Sequence, residues 1–194
     1  MFMDFKHHLE TAWRLTLKFI LPLIFLTLVW LAVSIITLGI LAPVTFAGYV
    51  HAILLMVRQG REPKLQDIFS QMHLLIPLLG FALVVVILSA IGFMLFVLPG
   101  IIIGLGISFI CLYMIPLMTD QGLGVVDAVK LSTAMTTQEK PVEHLIVLLI
   151  IWAVTAVGSS FLIATLFTQP FATIFLVSVY EEKFGARHPV HTIV

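Results

Sequence analysis

His51 is the residue whose type and position most suggest chemistry, because it is the one ionisable group well inside an apolar stretch. An imidazole in that setting can relay a proton or hold a ligand, since ionisable groups are expensive in lipid and tend to be kept there for function. It lies about two helical turns before Arg58, near the inner edge of its stretch rather than the middle. No carboxylate accompanies it there. A hydrogen-bonded or snorkelling histidine fits the same facts.

The other chemical candidates are thinner. His7-His8 and the pair His188 and His191 lack the carboxylate or thiol partners, at the right spacing, of a zinc site. Glu143 and His144 stand at the entrance of an apolar stretch, where solvated interfacial residues are expected. Cys111 is the single cysteine, so no intramolecular disulfide forms. Inside an apolar run it reads as a buried free thiol, without the electropositive, accessible surroundings of a reactive one. No serine or cysteine in the apolar stretches carries a nucleophile motif. The expectation is a non-enzyme, with no catalytic residue, cofactor or metal. Hydroxyls within the stretches (Thr27, Ser34, Ser89, Ser108, Thr155, Ser159, Ser160, Thr165) are expected to bond their own helix backbone.

Small residues form the remaining pattern. Gly100, Gly104 and Ser108 are spaced four apart and share a helix face, and Gly48 and Ala52 repeat the spacing. Such faces let membrane helices approach closely, so these five are candidate packing, partner or lipid contacts. A sharper reading is an opening that admits a lipid or solute. No strand precedes the glycines, so they do not make a dinucleotide fingerprint.

The elements that must carry these residues follow from charge and hydropathy. The chain has 194 residues, 61% hydrophobic and 10% charged, where a soluble protein carries about 25% charged residues. Lipid must therefore be the solvent for most of it. Net charge is zero and no basic block exists, which sets nucleic acid aside as a partner. The stretches Phe19–Val57, Leu74–Thr119 and Leu145–Tyr180 contain no Lys, Arg, Asp or Glu. Each is longer than the roughly 20 residues one span needs, and each is interrupted by a proline: Pro43, Pro99 or Pro170. The spacing predicts an all-α fold of six transmembrane helices arranged as three proline-turned hairpins. All ten basic residues fall on one side of these hairpins, which the positive-inside rule makes cytoplasmic, along with both termini.

In each pair the first span is long (Phe19–Leu41, Leu74–Val97, Leu145–Phe167). The second is short, most clearly Val44–Val57 and Phe171–Tyr180. The short helices either run on into the charged segments or turn inside the bilayer under protein cover. The first apolar run exceeds a signal peptide's apolar region, so a retained span is expected. Before each hairpin comes an amphipathic segment: Met1–Lys18, Lys64–His73 with Leu65, Ile68, Phe69 and Met72 in helical register, and Gly124–Thr137. Such helices lie in the membrane interface. The whole is one integral membrane domain, 1–194, that reads as three copies of one unit. Its segments are 1–18, 19–57, 58–73, 74–119, 120–144, 145–180 and a tail, 181–194.

Two motifs carry a resemblance. One is Arg58-Gln59-Gly60-Arg61-Glu62-Pro63 followed by Asp67-Ile68-Phe69. The other is Leu98-Pro99-Gly100 followed by Pro116, Asp120, Gly122, Ala128 and Ser132. Over about residues 15–185 the chain resembles a broad group of bacterial six-helix membrane proteins of unknown function. That group is similar to the membrane domain fused to some glycerophosphodiester phosphodiesterases. The resemblance implies a bacterial inner-membrane location. These residues include no phosphodiesterase domain, so that chemistry does not carry over. The motifs also have a local reading: Gly60 and Gly122 suit left-handed helix ends, and Pro63 and Asp67 suit the start of the next helix.

The first functional expectation is a scaffold or accessory subunit that holds a membrane-protein partner, or a second copy, among membrane lipids. The alternative is binding or handling of lipid or another hydrophobic solute. A channel or transporter ranks behind both, because no charged residue lies within the spans and the broken-helix candidates Pro22, Pro77 and Pro116 fall near helix ends.

Overall fold

The computed structural model describes residues 3–95, 97–138 and 140–185. They form helices α1 (Phe5–Lys18), α2 (Ile20–Ile36), α3 (Ala42–Gln59), α4 (Leu75–Leu95), α5 (Val97–Ile110), α6 (Met114–Gln121), α7 (Val125–Gln138), α8 (Pro141–Ser159) and α9 (Leu162–Gly185). Two short 3-10 turns, Leu65–Phe69 and Met72–Leu74, lead into α4. No strand occurs among the described residues. Among the described residues, four helical stretches are long and apolar enough to cross a membrane, or five if the bent pair α1–α2 counts as one span.

The first hairpin is α2 and α3. The carbonyl of Ser34 accepts from the Gly39 N–H at 2.7 Å, and that of Ile35 accepts from the Leu38 N–H at 3.1 Å. This pair of bonds closes α2 as a Schellman motif. Leu38 takes the left-handed position at φ 51° that glycine usually fills. Pro43 opens α3, where its missing N–H leaves no bond unmade. α1 meets α2 at 88°.

The second hairpin is α4 and α5, and Pro99 lies within α5 rather than at its turn. Val97 and Leu98 are already helical, and Pro99 sits in the first turn of α5. The returning helix is broken at Cys111–Tyr113. Pro116 fits the break: lacking an N–H, it cannot bond the carbonyl four residues back, and it sits in the first turn of a new helix, α6, where no such bond is needed.

The third hairpin corrects the sequence expectation. Its turn is at Ser160–Phe161, and Pro170 lies buried inside α9. The candidate spans are therefore Pro141–Ser159 of α8 and Ile163–Phe184 of α9, not Leu145–Phe167 and Phe171–Tyr180. Gly158 permits the turn, because a Cβ there would fall 2.0 Å from Thr168 Oγ1. Neighbouring helices hold α9 continuous through Pro170, as membrane helices allow. Of the two alternatives for the second helices, they run on into the charged segments: α3 and α9 reach Gln59 and Gly185, and α6, continuing α5 past its break, reaches Gln121.

The core gathers at the charged end. α3 buries ten of its eighteen residues, α6 buries Met114, Pro116, Leu117, Met118 and Thr119, and α9 buries Ile174, Phe175 and Val177 through Tyr180. α4 is largely uncovered, with Ile76, Leu83, Val86 and Met94 all exposed. The amphipathic segments sit beside this core. α1 buries His8, Ala12 and Thr16 while exposing Trp13 and Leu17. The segment before α4 forms 3-10 turns rather than an α-helix and buries Ile68, leaving Leu65, Phe69 and Met72 exposed.

Candidate functional site: a charge cluster that ties the hairpins

The three second helices end on one cluster. Arg58, in the last turn of α3, aims its guanidinium fork at Asp120 near the end of α6. One nitrogen meets Asp120 Oδ1 and the other donates to Oδ2 at 2.8 Å. Its Nε donates to Glu181 of α9 at 2.7 Å. Tyr180 Oη and Gln121 Nε2 also donate to Asp120 Oδ2, at 2.8 and 2.7 Å. Two-point Arg–carboxylate geometry combines charge with fixed orientation, so the cluster sets how α3, α6 and α9 meet. The Asp120 side chain is only 5% exposed. Burial pushes its carboxyl up, but the donors Arg58, Gln121 and Tyr180 outweigh that and hold it below its ordinary value.

Smaller polar links surround it. Glu143 accepts from Lys140 at 3.0 Å, from Lys183 at 3.3 Å and from the Met3 N–H at 3.4 Å, joining the start of α8 to the end of α9 and the N-terminal segment. His144 meets the Tyr113 hydroxyl at 2.9 Å. Both residues are buried, which corrects the expectation of solvated interfacial side chains. They are buried because each finds partners. Ser132 of α7 accepts the Tyr113 N–H at 3.1 Å, satisfying backbone that the α5–α6 break sets free.

His8 bridges α1 to α9, with Nδ1 2.7 Å from Ser178 Oγ and Nε2 2.6 Å from Glu182 Oε2. Hydroxyl, imidazole and carboxylate in this order form the constellation of an activated nucleophile. Here the serine is buried at 8% exposure, and the bonds fasten two helices together. Sequence spacing held no trace of it, because His8 and Ser178 are 170 residues apart. The partner histidine, His7, is exposed, and His188 and His191 lie outside the described residues. No group of three or more metal-ligating side chains forms among the described residues.

The candidate residues fall in different places. His51 is half-buried on α3, within electrostatic reach of Asp67, Asp120 and Arg61. Its Nδ1 is buried without a hydrogen-bond partner. Gly48 is buried against the 3-10 turn, where a Cβ would fall 2.0 Å from the Ile68 carbonyl oxygen, and Ala52 is fully buried one turn on. Gly100 faces the Phe93 ring of α4, and Gly92 faces Gly100, so this pair closes the α4–α5 hairpin. Gly104 has open space beside it, and Ser108 is half-buried. The five small residues thus do not form one surface. Cys111 is half-buried at the α5–α6 break rather than fully enclosed. Thr27, Ser34 and Thr155 bond carbonyls four residues back in their own helices, whereas Thr165 of α9 reaches across the turn to the Gly158 carbonyl.

The resembling motifs acquire physical roles. Gly60 and Gly122 end α3 and α6 at φ 64° and 63°. Asp67 accepts from Arg61 at 2.7 Å and from the Lys64 N–H at 3.0 Å, which starts the 3-10 turn. Arg58 and Asp120 are the two halves of the central ion pair. No protein-family model, curated protein or solved structure matches the chain.

Proposed function

We propose that this chain is a six-span protein of the bacterial inner membrane, with both termini cytoplasmic, that works without catalytic chemistry as a scaffold or accessory subunit. In this reading the charge cluster fixes a rigid base on the cytoplasmic side, and the α4–α5 hairpin is the arm that engages a membrane partner or a second copy. The six-helix family named above is the relation this reading favours, since its motif residues serve the base.

The observation that carries the reading is the contrast within the α4–α5 glycines. Gly92 and Gly100 are used up by the hairpin's own contact, whereas Gly80, Gly104 and Gly106 have nothing within 4 Å of a Cβ position. Glycine weakens a helix that gains nothing from its smallness, and close helix approach is what small residues supply in membranes.

The test is intact-complex mass spectrometry of the tagged protein in a mild detergent, with Gly104→Leu and Gly106→Leu beside it. A stoichiometric partner lost in these variants, with the chain itself still folded, is the expected result. A lone wild-type chain, or a complex that survives both substitutions, overturns the assignment to this hairpin.

A further inference from the structure

An apolar groove lies where α1 bends into α2, against α8 and α9. It is a groove of about 440 Å³, within the ~300–1,000 Å³ range of ligand pockets. Trp13 and Leu17 of α1 form one wall, and Val154, Phe167 and Phe171 form the other. The Trp13 and Phe171 rings meet edge to face at 6.5 Å. Thr16 and Thr168 are the hydroxyl-bearing residues of the lining. Both spend their hydroxyls on their own helices, Thr16 on the Ala12 carbonyl and Thr168 on the Ala164 carbonyl. The groove therefore offers no free polar group to a sugar, nucleotide or peptide backbone. It suits a hydrocarbon chain.

The charged residues that follow the α1 wall residues in sequence say which hydrocarbon. Arg14 and Lys18 directly follow Trp13 and Leu17 on α1, and both are exposed. Neither makes an ion pair among the described residues. The nearest acid on the same helix face, Glu10, is engaged by Lys6 at 3.7 Å. Lys18 Nζ rests 4.8 Å over the Phe19 ring, one residue before the groove-lining Ile20. Of the other described basic residues, Lys6, Arg58, Arg61, Lys140 and Lys183 pair with carboxylates, while Lys64 and Lys130 make no ion pair among the described residues but lie on other segments, away from the groove lining. An apolar groove whose α1 wall residues, Trp13 and Leu17, are each followed by a cation without an ion pair has the chemistry of basic lipid-headgroup pockets.

We infer that this groove is a binding site for an anionic phospholipid of the surrounding bilayer, with one acyl chain against Trp13, Leu17, Val154 and Phe167 and its phosphate paired with Arg14 and Lys18. The lipid fills the space between α1 and the third hairpin and complements a bend that the protein alone leaves open. The site does not depend on whether the α4–α5 hairpin holds a partner.

The experiment uses the full chain in detergent, exchanged with equimolar phosphatidylglycerol and phosphatidylcholine and read by native mass spectrometry as detergent washing proceeds. The last lipid retained by the wild-type protein is expected to be phosphatidylglycerol, at a ratio of at least ~3 over phosphatidylcholine, as selective headgroup pairing requires. Arg14→Gln with Lys18→Gln should bring that ratio close to one. Val154→Phe, which fills the groove and leaves both cations in place, should cut retention of either lipid. Equal retention of the two lipids by the wild-type protein overturns the proposal without reliance on any variant. A phosphatidylglycerol preference that survives both sets of substitutions moves the lipid to another surface and overturns it as well.

Discussion

α3 and α4 are of similar length and belong to adjacent hairpins, yet they are built on opposite plans. α3 carries Thr45, Gly48, Tyr49, His51 and Arg58 and buries ten of its eighteen residues. α4 has Ser89 as its single hydroxyl and no charged residue, and only 11% of its most apolar stretch is buried, against 50% for α9. A water-soluble fold would reverse this, with the most apolar helix inside. With lipid as solvent, an apolar side chain gains little by leaving it for the protein. Polar groups are what must find partners. Tyr49 accordingly meets Thr27 at 3.1 Å, and Arg58 meets two carboxylates.

The strongest way to break this contrast is to deny α3 its close approach. Gly48→Leu puts side-chain atoms where the Ile68 and Asp67 backbone already lies, within 2.0 to 2.7 Å of the first carbon alone. Backbone cannot move aside like a flexible side chain, so the cost exceeds the usual ~1–3 kcal/mol of overpacking. The expected outcome is loss of the monodisperse peak in size-exclusion chromatography. Gly104→Leu, on the open face of α5, should leave that peak in place. Equal behaviour of the two variants would mean that α3 is not packed as described.

Next in size is the ion pair. Arg58→Met leaves Asp120 almost wholly enclosed and Glu181, 23% exposed, largely enclosed without their cation. Removing one partner of a buried pair costs about 3–5 kcal/mol. Because the Arg58 side chain is 29% exposed, about 2–3 kcal/mol is expected here after allowing for solvent screening. Asp120→Asn in the Arg58→Met background should recover part of it, which thermal unfolding in detergent would read as a double-mutant cycle. The same pair predicts a pH response. A carboxyl held below its ordinary 3.8 in the folded state stabilises the fold at higher pH and loses that contribution as pH falls through its folded value. The melting temperature should therefore drop below about pH 4, with a shallower drop in Asp120→Asn. Superimposable acid profiles would show that the cluster carries no weight.

What the sequence made legible divides along the same line. Apolar length, the positions of all Lys, Arg, Asp and Glu, and the residues Pro43, Gly60 and Gly122 pointed to helices, to one charge-bearing end and to the left-handed stops, because each of these is a local effect. The turn at Ser160–Phe161 was missed because Pro170 looked like the stronger breaker. Whether a proline ends a membrane helix depends on the neighbours that cover it, and those are non-local. The break at Cys111–Tyr113 had a signal in Pro116, but its tolerance depends on Ser132 reaching the Tyr113 N–H. The Arg58–Asp120–Glu181 cluster was visible only as three unrelated charges, 62 and 123 residues from one end to the others. The small-residue stripe was legible as spacing, yet spacing does not say whether a neighbour is protein, as for Gly48 and Gly100, or open space, as for Gly104.

The smallest expected effect sharpens the comparison most, because it uses the same chemistry on both sides. Ile53→Ala on α3 removes methyl groups from a fully buried position, and the cavity it leaves should cost roughly 2–5 kcal/mol. Leu83→Ala on α4 removes the same number of carbons from a side chain that is 61% exposed. Lipid tails, or a partner helix if one is bound, flow or pack into the space vacated. In purified, partner-free protein the change should stay within about 0.5 kcal/mol. If Leu83→Ala costs as much as Ile53→Ala under those conditions, α4 is covered in the free chain, most simply by a second copy. That outcome would turn the exposed hairpin from a partner-seeking arm into a homo-oligomer interface.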